Sequence, residues 1–162
     1  MGTIVIATDG SKAAESAVAE GVELAKRFDA RAIFVAVAEP PPDYLGKPLW
    51  QEHVTKEMER ARQGLDKARE LAEAAGIEAE YDILEGEAAK EIARFAEARD
   101  ADLVVVGTRS IGAAAGALLG SVSSSLVRRS DRPVVVVREP EKRAQEREAE
   151  ARTPAEPKPA HA

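Results

Sequence analysis

Leu103-Val104-Val105-Val106 is an unbroken apolar run, and it feeds directly into a stretch of small residues from Gly107 to Ser121. A strand that is apolar at every position has both faces covered, which is the pattern of a parallel sheet packed between helices. The glycines, alanines and serines that follow let a ligand approach the main chain closely. They end at Gly120-Ser121, ahead of a helical segment. A helix start offers unpaired N–H groups and a partial positive charge, which together suit a phosphate. These features point to a chain that binds a phosphorylated small molecule, a nucleotide above all.

The rest of the chain repeats the alternation. Ile4-Val5-Ile6-Ala7 is a short apolar strand ending at Thr8-Asp9-Gly10-Ser11. Small and apolar residues then recur at Ala14, Ala17, Val18, Gly21, Val22, Ala25 and Phe28, the spacing of a helix that Ser11 or Asp9 can cap. Ala32–Ala38 is a second strand, completing a βαβ unit with its right-handed crossover. Residues 39–51 read as a proline-rich connection, with Leu49 and Trp50 expected to pin it to the body. A long helix follows, with Val54, Met58, Ala61, Leu65, Ala68, Ala72 and Ala75 on one stripe. Ile77, Ala79, Tyr81 and Ile83 alternate with charged residues, which predicts a half-exposed edge strand. Gly86 opens a third helix, the Leu103 strand and the Ser121 helix come next, and Val134–Val137 is the last strand. The order β-α-β-α-β-α-β-α-β predicts an α/β three-layer sandwich around a five-stranded parallel sheet.

Bulk properties restrict the function. The chain has 162 residues, enough for one domain with a substantial core, read here as residues 1–138. Residues 139–162 are charged and rich in proline and alanine, and are expected to be disordered. The absence of cysteine excludes disulfides, thiolate metal sites and cysteine nucleophiles. The formal net charge is −6, and residues 139–162 hold six acids against five bases, so the domain itself is acidic. That balance argues against nucleic-acid binding. No apolar run reaches the roughly 20 residues of a membrane helix, and the N-terminus does not read as a signal segment, so no membrane partner and a cytoplasmic location are expected.

In an open α/β sheet, ligands sit beyond the carboxyl ends of the strands where strand order reverses. Asp9, after the first strand, and Gly107, after the fourth, meet in one crevice if those strands are neighbours. Asp9 then either caps a helix or meets a ribose or a phosphate-bound metal. Gly112, Gly116 and Gly120 fall four apart, a spacing that also suits close helix packing. The segment is neither a Walker A loop nor a dinucleotide fingerprint, since neither Gly-Lys-Ser/Thr nor G-x-G-x-x-G occurs in it.

Five motifs stand together over about residues 2 to 138: the Ile4-Val-Ile-Ala-Thr-Asp9-Gly-Ser opening, Leu84-Glu-Gly86-Glu-Ala, Ala101-Asp102-Leu-Val-Val-Val-Gly107-Thr, Leu118-Leu-Gly120-Ser121-Val-Ser and Asp131-Arg-Pro133-Val-Val-Val-Val. On these motifs the chain resembles the universal stress protein family. The resemblance implies an adenine nucleotide alpha hydrolase-like fold with strand order 3-2-1-4-5. The nucleotide-binding branch carries G-x2-G-x9-G-(S/T); here Gly107 and Gly120-Ser121 keep the spacing, while Ser110 replaces the middle glycine.

The resemblance implies ATP binding, with Mg2+ or Mn2+ carried by the phosphates and no protein metal site. Ala7, Thr8 and Asp9 then line the ribose and phosphate side, and Val37 offers its main chain to the adenine edge. Val106, Gly107, Arg109 and Ser110 flank ribose and phosphates, and Gly120, Ser121, Val122 and Ser123 hold the phosphates. The resemblance also implies a homodimer paired through Val134–Val137. The two histidines, His53 and His161, are not placed as a base for Ser121, so no catalytic residue is assigned and turnover is at most slow. Two alternatives stay open: a family member working by protein contacts alone, favoured by Ser110, and a nucleotidyl-transfer enzyme on the same scaffold, which lacks its histidine-rich phosphate motif.

Overall fold

Ile4, Val5 and Ile6 have no solvent exposure at all, because the strand that carries them lies at the centre of a sheet covered on both faces. The computed structural model describes residues 2–108 and 120–139. In chain order they form β1 (Thr3–Ala7), α1 (Lys12–Phe28), β2 (Arg31–Ala38), α2 (Lys47–Ala74), β3 (Ala79–Glu85), α3 (Ala88–Ala98), β4 (Leu103–Gly107), α4 (Ser121–Arg129) and β5 (Val134–Val137). The strands make one sheet in the order β3-β2-β1-β4-β5, and every ladder is parallel. This is the predicted three-layer α/β sandwich.

Alternation along the central strands divides the core. Ile4, Ile6 and Phe34 face α1 and α2, where they meet Val18, Val22, Ala61 and Leu65. Val5, Ile33, Val35 and Val104 face α3 and α4, where they meet Ile92, Ala96 and Leu126. Alanine on the helices lets them lie close to the sheet; Ala17, Ala72 and Ala96 are fully buried. The chain winds outward from β1 through β2 to β3, then returns to place β4 on the other side of β1. The reversal of strand order therefore falls between β1 and β4.

The edges behave as the sequence predicts at β3, where every residue from Ala79 to Leu84 is only partly buried. Tyr81 stacks on Phe34 at 5.4 Å, with the Arg69 guanidinium 4.6 Å above its ring. On the opposite face of β3, Arg99 bridges Glu80 and Asp82 at 2.9 and 3.0 Å. At the other edge, β5 is half-buried at each of its four valines.

Two expectations are corrected. The helix after the proline-rich segment starts at Lys47, inside what reads as a connection, with Pro48 in its first turn. Proline fits there because the first turn has no use for its missing N–H and its fixed φ is already helical. Leu49 and Trp50 thus stand on the first turn of α2, 57% and 47% exposed, and do not pin a loop. The reason is length. A helix of 28 residues is about 42 Å long, against roughly 13–26 Å for these strands. Its first buried residue is Ala61, so residues 47–60 project beyond the carboxyl edge of the sheet. The smaller correction is at Gly86, which sits at φ +136° as the turn before α3 and not as its first residue.

Candidate functional site

At the β1/β4 reversal lies a cleft of about 630 Å³, measured with its open mouth. Its base is the end of β1. Thr8 N donates to Val35 O at 2.9 Å, closing the β1–β2 ladder. The following turn is built from its own side chains: Thr8 Oγ1 accepts from Gly10 N at 3.2 Å and Asp9 Oδ1 accepts from Ser11 N at 3.0 Å. Gly10 takes φ +76°, which glycine adopts without strain. Ser11 then caps α1, accepting from Ala14 N at 3.2 Å. Of the two candidate caps, the cap is therefore Ser11, while Asp9 shapes the turn and also lines the cleft.

Val37 lies two residues past the last β1–β2 pair, Ala7↔Val35. Residues two apart on a strand turn their main-chain groups to the same side. The N–H and C=O of Val37 therefore face the β1 side, where β1 has already ended, and Val37 lines the cleft. On the opposite side Gly86 N donates to Ala38 O, so the β3 side of the strand is occupied.

Three helices begin at this cleft. Ala13 and Ala14 of α1, Ala88 of α3, and Val122 and Ser123 of α4 all line it. Gly120 is the N-cap residue of α4 and gives no side-chain cap. Ser124 N bonds Gly120 O, and the N–H groups before it have no carbonyl of their own helix to meet. Ser123, almost fully buried, donates its hydroxyl to Gly120 O at 3.1 Å. Converging helix starts make the site favourable for an anion.

Of the residues singled out in the sequence, Ala7, Thr8, Asp9, Val37, Val106 and Gly107 line the cleft from the sheet side, and Val122 and Ser123 from α4. Gly120 and Ser121 do not line it; Ser121 is exposed on the outer side of the first turn. Arg109, Ser110, Gly112 and Gly116 lie outside the described residues, as do residues 140–162. Gly107 has a packing reason to be glycine: a Cβ there would lie 2.4 Å from Ala13 O. Sequence reasoning missed Glu39, Arg60 and Ile92, which also line the cleft. Glu39 follows from strand alternation two residues after Val37, whereas Arg60, already on the predicted helix, reaches the cleft only through the way α2 packs, which the sequence does not show. No group of three or more metal-ligating side chains is found among the described residues, nor a helix long and apolar enough to cross a membrane.

The family model described as the universal stress protein family matches residues 1–138. This chain belongs to the universal stress protein family. Two relatives bear the same family name. A universal stress protein of Methanocaldococcus jannaschii is 35% identical over 142 residues, covering 86% of this chain and 83% of that protein. One of Thermus aquaticus is 38% identical over 137 residues, covering 84% and 98%. Among solved structures, a universal stress protein in complex with cAMP aligns with a TM-score of 0.67 and 29% identity, over 85% of this chain and 97% of that one. The sheet order and the flanking helices are those of the adenine nucleotide alpha hydrolase-like fold that the universal stress protein family adopts.

Proposed function

We propose that this chain binds an adenine nucleotide, ATP with Mg2+ or Mn2+ carried by its phosphates, and serves as a cytoplasmic stress-response and signalling module. The observation that carries the reading is the convergence of the α1 and α4 starts on a cleft whose rim includes the free main-chain edge at Val37. The adenine edge meets the Val37 N–H and C=O, which read donor and acceptor positions without a side chain. Ribose lies beside Thr8 and Asp9. The phosphate chain extends toward α4, where the N–H groups of Val122 and Ser123 meet its oxygens. The similarity to a family member in complex with cAMP supports an adenine nucleotide as the ligand class. The reading assigns binding and a change in partner contacts on occupancy, with no base assigned for hydrolysis.

A thermal melt with and without Mg-ATP, with GTP as the control, tests it. Ligand at 100 times its dissociation constant adds about 2.7 kcal/mol, a shift of roughly 5–10 °C at this chain length. The expected result is a shift with ATP that is lost in Asp9→Ala and absent with GTP. No shift at millimolar ATP would overturn the reading in favour of a family member acting through protein contacts alone, the alternative that Ser110 in the glycine position motivates.

A further inference from the structure

Three charged side chains line the cleft among the described residues: Asp9 and Glu39 are acidic, and Arg60 is the cation. Two carboxylates beside a polyanionic ligand are unfavourable, and helix starts offset them with partial charges only. Arg60 comes from the projecting half of α2. It precedes by one turn, about 6 Å, the point where Gly64 packs against the Gly10 backbone. Arg60 therefore lines the cleft from the α2 side.

The side chain is held from behind. Arg60 Nη2 donates to Glu57 Oε2 at 2.8 Å, and the Glu57 side chain is 15% exposed against 44% for Arg60. This is the one hydrogen bond of Arg60 among the described residues, and it uses one of five guanidinium N–H donors. A restrained guanidinium with open donors is matched to phosphate, which it can grip through two parallel bonds. Holding the side chain in advance also lowers the entropy lost on binding.

We propose that Arg60 is an anion-pairing residue of this cleft, its remaining N–H groups taking a phosphate oxygen of the bound nucleotide while Glu57 fixes its orientation. The proposal rests on the nucleotide reading above and adds to it a contact from α2, so that the projecting half-helix senses the phosphate part of the ligand.

Calorimetric titration of the full chain with Mg-ATP and with adenosine, on the unaltered protein and on Arg60→Gln, Arg60→Lys and Glu57→Gln, tests it. Arg60→Gln is expected to weaken ATP roughly tenfold or more and adenosine by less than about twofold, with Arg60→Lys recovering part of the loss and Glu57→Gln costing ATP less than about threefold. Melting of the variants checks that each is folded. Equal losses for ATP and adenosine in Arg60→Gln would overturn the proposal, since a phosphate contact cannot act on adenosine. So would equal losses of ATP and of adenosine in Arg60→Gln and Glu57→Gln alike, which would mark the pair as helix support. An unaltered chain that binds neither compound would remove the nucleotide reading and this proposal with it. Intact ATP binding with no effect of Arg60→Gln would remove the proposal alone.

Discussion

A Cβ at Gly107 would lie 2.4 Å from the Ala13 carbonyl oxygen and 2.7 Å from its carbon, both main-chain atoms of the first turn of α1. Backbone cannot swing away as a side chain can, so Gly107→Ala must push α1 off the end of β4. The expected loss is about 2 kcal/mol or more, read from the denaturant midpoint. Gly46→Ala, whose Cβ would meet nothing within 4 Å, is expected to stay within about 0.5 kcal/mol of the parent. Gly107 reads in the sequence as part of a phosphate loop. Its packing role was not legible there, because it depends on which helix lies across it. Thr8 and Asp9 were legible as cleft residues because a strand's carboxyl end is visible in the chain. Motif alone sets Gly120 and Ser121 beside the cleft, but successive helical residues turn about 100° apart, and it is Val122 and Ser123 that line it.

Asp102 is a second residue whose part depends on distant chain. Its Oδ2 accepts from Thr3 N at 3.0 Å and Gly2 N at 2.6 Å, tying the start of β1 to the turn before β4. These hydrogen bonds, Thr3 first, hold its carboxyl below the usual aspartate range. The carboxylate therefore releases its proton more readily in the folded chain than in the unfolded one. Its contribution is fully present above the unfolded value, near pH 4, and is lost as the pH falls through the lowered folded value. Asp102→Asn is expected to melt lower than the parent at neutral pH and to lose less stability between about pH 5 and 2. Equal acid sensitivity in the two proteins would show that this carboxylate does not carry the effect.

Among the elements, α2 has the most to do with the site and was the least legible of the helices. Its stripe from Val54 to Ala72 is plain in the sequence. Its start was obscured by four prolines, one of which, Pro48, belongs inside the first turn. That shift of one turn puts Trp50 on the helix as an exposed side chain and not as the anchor of a loop, while Arg60, helical in either reading, lines the cleft because of how α2 packs. The helix is braced lower down. Gly64 touches Gly10, and Lys67 donates to Gly10 O at 3.1 Å and to Glu15 at 3.0 Å, so the Asp9 turn and α2 are held as one unit. A large aromatic that carries no core contact should be dispensable. Trp50→Ala is expected to lower stability by less than about 1 kcal/mol, against the roughly 3–5 kcal/mol of a buried tryptophan. A loss in the upper range, measured by urea unfolding followed by circular dichroism, would mean that the first turns of α2 are packed down after all.

For the whole molecule, the two sheet edges differ in what covers them. β3 protects itself with charge: Glu80 and Asp82 are bridged by Arg99, and Arg31 approaches Glu80 at 3.6 Å, which discourages another strand from adding on. β5 has no such guard within its length, since all four residues are valine and each is half-exposed. An edge strand leaves a row of N–H and C=O groups unpaired, and an apolar one invites a partner. A second copy satisfies both needs if two β5 strands pair antiparallel about a two-fold axis, which makes the contact self-complementary and closed. On this reading the chain is a homodimer in which two cleft-bearing sheets become one continuous sheet. Light scattering at micromolar concentration is expected to give twice the chain mass of 17.3 kDa for the unaltered protein. Val136→Lys sets like charges against each other across the pairing and is expected to yield the monomer. Val136 packs against the α3 and α4 face of the core, so that variant also tests its own folding. Arg138→Glu, just beyond the strand, changes the charge without entering the core. A monomer from the unaltered chain would leave β5 an ordinary edge and remove the two-fold assembly; a dimer that survives Val136→Lys in a folded chain would move the interface elsewhere.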